Sequence, residues 1–333
     1  TLLINDGNYA EIEVQILYLP ANTNYELSYT LNSDELGLFG MSTSILPVDV
    51  PDEYGSGYFV FIAEPDPNDG VDVIDKVFTL IVDRSGSMSG NKIIQARNAS
   101  SFIVENLNEG DRFNIVDFSS SVSSCWDSHA EYNPATEEIA LDYISSINAS
   151  GSTNISEAFN VAVPQFDTAN DDTANIIIFF TDGEATAGVT ETNSLLEYVQ
   201  NLIIQTATDI NLFTFGIGPS VNTQLLTLLA SQNNGLSEFL GSDDLEEIIT
   251  QFYLTIRNPV LLNTSMSFMP EGIVLETYPE ILPNLYQGQQ MIVAGRYTQP
   301  VNVSVSLSGN AFGVPVTYDY ELVLVDSAST RYQ

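Results

Sequence analysis

Basic residues are scarce in this sequence. Of its 333 residues, 8 are Lys or Arg and 44 are Asp or Glu, which gives a formal net charge of −36. No Lys or Arg precedes Lys76, and none lies between Arg112 and Arg257. Nucleic acids and anionic membranes are bound largely through Lys and Arg, so the composition excludes both as partners. Salt screens the repulsion between carboxylates beyond about 8 Å, which favours a saline or marine environment.

Cysteine, histidine and long apolar runs are also nearly missing. Cys125 is the single cysteine, so an internal disulfide is excluded. His129 is the single histidine; it lies in a polar stretch, where we expect a surface side chain, and a Ser-His-Asp triad would depend on it alone. No run approaches the roughly 18 apolar residues of a membrane-spanning helix. The chain begins at Thr1 without a charged and then apolar leader, so we expect a mature form or a fragment.

Motifs for the common catalytic mechanisms are missing as well. The segment from Gly86 to Gly90 has Met88 where a G-x-S-x-G nucleophile turn needs serine, and Asp83 lacks a second acid two residues later. No glycine-rich phosphate loop ending in Lys-Ser or Lys-Thr occurs in the sequence. The sequence therefore predicts that the protein is not an enzyme. A metal-dependent hydrolase is a third hypothesis, beside the two binding functions described below.

The central part of the chain predicts an α/β domain. Over residues 73–257, short runs rich in Ile, Val and Phe alternate with amphipathic stretches of helical length, which is the pattern of a doubly wound, mostly parallel sheet. The predicted strands are 77–82, 113–118, 176–181 and 212–217. The predicted helices are 91–107, 136–147, 155–166, 192–207, 221–230 and 245–256.

Both flanks of this domain predict β-structure. The predicted strands are 11–19, 25–31 and 58–63 before it, and 266–269, 273–278, 291–297, 301–307 and 314–325 after it. Neither flank has material for the roughly seven strands of a complete sandwich. We therefore expect residues 1–72 and 258–333 to build one all-β sandwich, with the α/β domain inserted between them.

Five oxygen-bearing side chains are predicted to meet at the carboxyl edge of the parallel sheet. Asp83, Ser85 and Ser87 follow the first strand, Thr153 opens a helix, and Asp182 follows the third strand. In open α/β sheets this edge is where ligands bind. Carboxylate and hydroxyl oxygens suit Mg²⁺, with Mn²⁺ or Ca²⁺ as alternatives, and disfavour Zn²⁺. The plain structural alternative is helix capping by Ser and Thr, but the agreement of three separated segments favours a metal.

The same residues resemble a known motif. Asp83-x-Ser85-x-Ser87, with Thr153 and Asp182-Gly183 in the matching places, looks like the metal-ion-dependent adhesion site of von Willebrand factor type A domains. Further segments resemble the inter-alpha-trypsin inhibitor heavy chains and their bacterial surface relatives; these are 77–92, 151–155, 252–253 with 258–259, and 288–295. The resemblance implies a Rossmann-like A domain that interrupts a β domain, and a metal ion that captures a carboxylate of a protein partner.

Two functions are expected from this resemblance. The first is an extracellular adhesion or protein-binding module, secreted or attached to the cell surface, in which a Mg²⁺ ion at the five residues binds an acidic side chain of a partner. The alternative is a structural component of an extracellular matrix or filament. In that case the A domain is a spacer, and edge strands of the β flanks allow self-assembly.

Weaker signals come from a few other residues. Glu184 either hydrogen-bonds to the metal ligands without contacting the ion or is, more simply, a solvated acidic residue in a loop. Arg84, between the first two ligands, is expected to point away from the ion. Asn263 and Asn302 lie in N-x-S/T sequons and are glycosylation candidates. One short stretch is rich in Asp and Asn, and we interpret it as a solvated linker rather than a Ca²⁺-binding loop, because the spacing of its acidic residues does not fit an EF-hand. Its members are Asp66, Asn68, Asp69 and Asp72.

Overall fold

The structure of the protein is a computed structural model that describes residues 2–5, 10–12, 36–45, 55–65, 74–168, 172–206, 208–218, 220–240 and 245–326. The chain divides into two compact units, Thr1–Asn32 and Ser33–Gln333. In the first unit, β1 (Leu2–Asn5) pairs antiparallel with β2 (Ala10–Ile12). The predicted strand 25–31, most of the predicted strand 11–19 and the acidic residues of the stretch 66–72 lie outside the described residues.

The second unit contains the following elements in its described ranges. The strands are β3 (Leu36–Ser44), β4 (Gly57–Pro65), β5 (Lys76–Asp83), β6 (Arg112–Phe118), β7 (Val122–Ser124), β8 (Ala130–Glu131), β9 (Ala174–Thr181), β10 (Ile210–Ile217), β11 (Ser237–Leu240), β12 (Pro259–Met269), β13 (Val274–Tyr278), β14 (Leu285–Tyr286), β15 (Met291–Tyr297), β16 (Asn302–Ala311) and β17 (Val314–Val323). The α-helices are α1 (Asn91–Glu105), α2 (Pro134–Ser146), α3 (Ile155–Ala162), α4 (Thr192–Thr206), α5 (Thr223–Ser231) and α6 (Leu245–Ile256). Short 3-10 helices lie at Gly86–Met88 and Val163–Thr168.

Strands β5 to β11 form the central sheet. Their order is β11-β10-β9-β5-β6-β7, with β8 also paired to β6. The first five strands in this order run parallel, whereas β7 and β8 are antiparallel to β6. Strands β5, β9 and β10 are buried along their whole length, because helices cover both faces of the sheet. The predicted doubly wound, mostly parallel sheet is confirmed.

The helices form one layer on each face of this sheet. One apolar core contains side chains of α1, α2 and α6, and the other contains side chains of α3, α4 and α5. All six predicted helices are present, with ends that differ by a few residues. For example, α3 ends at Ala162 and continues as a 3-10 helix, because Pro164 has no N–H to donate to the preceding turn. Among the described residues, no helix is long and apolar enough to cross a membrane.

Two four-stranded antiparallel sheets form a β-sandwich. One has the order β14-β12-β16-β17, and the other has the order β13-β15-β4-β3. In the second sheet, β3 and β4 precede the central α/β domain in sequence, whereas β13 and β15 follow it. Phe59 and Phe61 of β4 share one core with Val303 and Val305 of β16. Strands from both flanks therefore build one sandwich around an inserted α/β domain, as predicted. Thr1–Asn32, which the prediction assigned to this sandwich, forms the separate first unit, and the boundaries 72/73 and 257/258 stay predictions.

Three strands of the sandwich differ from the sequence-based expectation, and one of them is the short β14, which the sequence does not predict. The sequence does not predict β3, because Gly37, Gly40 and several polar residues interrupt its apolar pattern. A Cβ atom on Gly40 would lie 2.5 Å from Leu322 Cδ1 of β17, so glycine lets the two sheets approach each other here. Strand β12 begins at Pro259 rather than at residue 266, and proline is tolerated there because the first residue of a strand can do without an N–H.

The sandwich and the α/β domain are joined by buried asparagines. Asn284, just before β14, donates from Nδ2 to Asn211 Oδ1 on β10, at 3.1 Å. Its own Oδ1 accepts the backbone N–H of Asn263 on β12, at 2.8 Å. Asn211 in turn donates to the backbone carbonyl of Asn175 on β9, at 3.2 Å. This network lies at the amino-terminal ends of the parallel strands, opposite the edge where the candidate metal ligands lie.

Candidate metal centre

Asp83 is the last residue of β5 and lies near the middle of the central sheet. Its side chain is buried, and both of its oxygens accept hydrogen bonds. Oδ1 accepts the backbone N–H of Ser85 at 2.7 Å, and Oδ2 accepts the hydroxyl of Thr181 at 2.6 Å. Thr181 ends the neighbouring strand β9, so the pairing of β5 with β9 fixes the orientation of this carboxylate.

A chain of side-chain hydrogen bonds links three more of the predicted ligands. The hydroxyl oxygens of Ser85 and Ser87 are 3.0 Å apart, and Ser87 Oγ donates to Asp182 Oδ1 at 2.7 Å. Asp182 directly follows β9, and its carboxylate is fully buried. Residues 95 positions apart in sequence thus meet because the carboxyl ends of adjacent parallel strands lie at one edge of the sheet.

Thr153 is connected to this group through backbone hydrogen bonds. The N–H of Gly86 donates to the carbonyl of Gly151 at 3.0 Å, which joins the Thr153 loop to the loop after β5. On the other side, the N–H of Thr153 donates to Thr186 Oγ1 at 2.9 Å, and the N–H of Thr186 donates to the Thr153 carbonyl at 2.9 Å. Thr153 is itself buried. The structure therefore brings all three predicted segments to one edge of the sheet.

The donor set fits a small divalent cation. Asp83 and Asp182 supply two buried carboxylates, and the other three predicted ligands supply neutral hydroxyls, all of which are oxygen donors suited to Mg²⁺. Burial is the main cause that raises the pKa of Asp83 to about 6, and the charge of Asp182 adds to it, whereas hydrogen bonds from Thr181 and Ser85 lower it. Two buried carboxylates in one site favour a cation between them. In the described ranges there is no cluster of three or more His, Cys, Asp or Glu side chains that could hold a metal, and the candidate site instead combines two carboxylates with three hydroxyls.

Lys92 is a site residue that the sequence does not predict. It lies in the first turn of α1, and its Nζ is 2.5 Å from Asp182 Oδ2 and 3.4 Å from the carbonyl oxygen of Ser87. The side chain is one quarter exposed, so the ammonium lies at the rim of the site. From the sequence, a lysine on an amphipathic helix is expected to be a solvated surface residue. Its partner, Asp182, becomes evident only when the loop after β9 is placed in the structure.

Arg84 points away from the candidate ligands, as expected. Its guanidinium forms an ion pair with Asp117 of β6 and donates from Nη1 to Ser119 Oγ at 2.8 Å. Asp117 also accepts a hydrogen bond from the hydroxyl of Tyr143 on α2. These contacts hold the guanidinium against β6 and the loop after it. Arg84, which lies between the first two predicted ligands, therefore stays clear of the candidate site.

The remaining predicted residues lie on the surface. Glu184 is exposed, which agrees with a solvated loop acid. Asn263 and Asn302 are exposed, and Asn302 donates to Glu321 Oε1 at 2.6 Å. Exposure is what a glycan would require, and glycosylation at these two positions stays a prediction.

His129 is half-buried rather than freely exposed, which corrects the expectation of a surface side chain. Its ring packs edge-on against Phe166, with centroids 4.6 Å apart, and Nε2 lies 2.7 Å from the hydroxyl of Thr79 on β5. Burial lowers the pKa of His129 to about 4. Cys125 packs against the core beside Trp126, and burial raises the pKa of its thiol to about 11, so neither residue is poised as a base or a nucleophile.

Comparison with known families matches residues 78–239 to the von Willebrand factor type A domain. The chain is 31% identical over 248 residues to inter-alpha-trypsin inhibitor heavy chain H3 of Mus musculus, covering 72% of this chain and 27% of the relative. It is 30% identical over 275 residues to heavy chain H4 of Homo sapiens, covering 80% of this chain and 29% of the relative. The chain thus spans only about a quarter to a third of the length of these curated relatives.

Solved structures support the same fold. A von Willebrand factor type A protein from Catenulispora acidiphila superimposes with a TM-score of 0.67 at 14% identity, covering 92% of this chain and 77% of that one. The ArnB paralog VWA2 from Sulfolobus acidocaldarius gives a TM-score of 0.57 at 16% identity, covering 87% and 75%. Domains of this family are generally non-enzymatic modules for protein interaction or adhesion. Residues 78–239 of this chain therefore belong to a von Willebrand factor type A domain.

Proposed function

We propose that the chain is an extracellular adhesion or protein-binding module that captures an acidic side chain of a partner through a bound metal ion. The ion is Mg²⁺, with Mn²⁺ or Ca²⁺ as substitutes, and its ligands are Asp83, Ser85, Ser87, Thr153 and Asp182. The observation that carries the proposal is the hydrogen-bonded chain from Ser85 through Ser87 to Asp182, beside the buried Asp83.

The charge of the protein explains why such a module needs a metal. A surface of net charge −36 repels an acidic partner, and a divalent cation is the strongest local positive charge that the site can offer. Two carboxylates formally balance the charge of the ion, and five protein ligands leave room for one more oxygen ligand in an octahedral shell. A partner carboxylate supplies both the oxygen and the negative charge. This function fits a secreted or cell-surface protein in a saline environment, without nucleic acid or anionic membranes as partners.

A structural component of an extracellular matrix or filament is the second candidate. It is favoured by β13, an edge strand of the sandwich on which Leu275 is 47% and Tyr278 is 80% exposed. Edge strands with exposed apolar side chains are templates for pairing with another chain. Polymerisation of the purified protein in chelator would favour this candidate, because the adhesion site would then have no part in assembly.

The metal site can be tested by calorimetry. We expect the chelator-treated protein to bind Mg²⁺ or Mn²⁺ at one saturable site, and Asp182→Ala to abolish this binding because the variant removes one of two carboxylate ligands. Glu184→Ala is the matched control, because it removes an exposed carboxylate two residues away. We expect it to bind like the unmodified protein. Absence of binding, or equal binding by Asp182→Ala, would reject the metal site and move the structural candidate ahead.

A further inference from the structure

Lys92 shares a carboxylate with the proposed metal. Its ammonium is 2.5 Å from Asp182 Oδ2, while the other oxygen of Asp182 accepts the Ser87 hydroxyl at 2.7 Å. The Asp182 side chain is fully buried, whereas Lys92 reaches it from the partly exposed rim. A protein cation therefore contacts the carboxylate of one of the proposed metal ligands.

The position of Lys92 is not explained by the energetics of its own helix. Positive side chains in the first turn of a helix are disfavoured by the helix dipole. The first turn of α1 contains no acidic residue, and its N-cap, Gly90, provides no side-chain hydrogen bond. The contacts with Asp182 and with the carbonyl oxygen of Ser87 offset the unfavourable placement of this charge, and the ion pair is the shorter of the two.

We propose that Lys92 is a built-in counter-cation that competes with the divalent ion for Asp182 and so sets the metal affinity of the site. The inference rests on the metal site of the proposed function. A buried carboxylate without a compensating charge is strongly destabilising, and Lys92 provides that charge before a metal binds. When a divalent ion binds Asp182, repulsion between the two cations displaces the ammonium, and the loss of this ion pair weakens metal binding.

The test is a comparison of Mg²⁺ affinity among charge variants. We expect Lys92→Met to tighten Mg²⁺ binding about tenfold, an effect between those of exposed and of buried ion pairs. Lys92→Arg keeps the charge, and we expect its affinity to stay within about threefold of the unmodified protein.

Arg97→Met is the matched control, because Arg97 lies on the same helix and donates to the carbonyl of Ser145. It removes the same charge from a side chain that bonds to Ser145 rather than to Asp182, and we expect a change of less than about twofold at physiological salt.

A second readout is the melting temperature of the chelator-treated proteins. We expect Lys92→Met to melt below Lys92→Arg without metal, because its Asp182 is buried without a counter-charge, and to approach it when saturated with Mg²⁺. If Lys92→Met does not fold, both measurements are made on Lys92→Gln instead. Equal Mg²⁺ affinity of Lys92→Met and the unmodified protein, or equal effects of Lys92→Met and Arg97→Met, would overturn the inference while leaving the metal site intact. Lack of Mg²⁺ binding by every variant and by the unmodified protein would overturn the metal site itself, and this inference with it.

Discussion

Lys76 Nζ lies 2.7 Å from Asp111 Oδ2, and neither side chain is exposed to solvent. Asp111 also accepts the backbone N–H groups of Lys76 at 2.8 Å and of Asn108 at 2.7 Å. Burial is the main cause that lowers the pKa of Lys76, and the attraction of Asp111 opposes it. The pair fastens the first residue of β5 to the loop before β6, at the end of the sheet opposite Asp83.

Removal of Asp111 should destabilise the protein strongly. We expect Asp111→Ala to lower the free energy of unfolding by about 3–5 kcal/mol, because it leaves a buried ammonium without its partner. Urea denaturation followed by circular dichroism measures this loss. The double variant Lys76→Met/Asp111→Leu replaces both charges by apolar groups, and its loss should be smaller than that of the single variant. A single variant within about 1 kcal/mol of the unmodified protein would contradict the prediction.

The two buried aspartates Asp83 and Asp117 should respond in opposite ways to neutralisation. Asp83 is buried near the negative Asp182, so we expect Asp83→Asn to raise the melting temperature of the chelator-treated protein by about 2–4 °C. Asp117 is paired with the guanidinium of Arg84, so Asp117→Asn should lower that temperature. Differential scanning fluorimetry measures both changes.

Magnesium adds a check on the same pair of variants. Saturating Mg²⁺ should raise the melting temperature of the unmodified protein, because a ligand that binds only the folded state stabilises it. This rise should disappear in Asp83→Asn, which loses a carboxylate ligand. A lower melting temperature for Asp83→Asn than for the unmodified protein in chelator would contradict the prediction, because it would mean that the negative charge of Asp83 stabilises the fold without a metal.

The sequence predicts the main features of the fold and the candidate site for a physical reason. Strands β5, β9 and β10 are covered on both faces, so they are continuous apolar runs that can be recognised without a structure. Because the carboxyl ends of parallel strands meet at one edge, Asp83 and Asp182 could be placed together from their positions after strands. The hydroxyl of Thr181, which orients Asp83, could not be assigned a role, because it depends on the pairing of β5 with β9.

Other features depend on contacts between segments that sequence patterns do not connect. Lys92 finds Asp182 from 90 residues away, and nothing near either residue indicates the pairing. His129 lies in a polar stretch, and it is half-buried against Phe166 and Thr79, which are distant in sequence. In both cases the local pattern predicts an exposed side chain, and the tertiary packing overrides it.

His129 should make stability depend on pH in the mildly acidic range. Its pKa is about 4 in the folded protein against 6.5 for the ordinary side chain, so between these values the unfolded chain binds a proton that the folded protein does not. Well above pH 6.5 the side chain is neutral in both states and costs no stability, whereas the free energy of unfolding falls by about 3 kcal/mol as the pH is lowered through 6.5 to 4. Urea denaturation at a series of pH values between 7 and 4 measures this change.

A variant isolates the contribution of His129 from that of the many carboxylates. His129→Gln cannot take up a proton, so its loss of stability between pH 7 and pH 4 should be smaller than that of the unmodified protein by the same amount. Parallel pH profiles for the two proteins would show that His129 is protonated in the folded state as readily as in the unfolded one.

Asn284 should couple the sandwich to the von Willebrand A domain. It is buried and bonds both to Asn211 on β10 and to the backbone of Asn263 on β12. Asn284→Ala leaves a buried acceptor and a backbone donor without partners, at a cost of about 1–3 kcal/mol for each group. We expect differential scanning calorimetry to show one transition for the unmodified protein, and an earlier or divided transition for the variant.

Asn302→Ala is the control, because it removes an exposed asparagine that bonds to Glu321, and it should change stability by less than about 0.5 kcal/mol. An unchanged single transition in Asn284→Ala would mean that other contacts join the two parts.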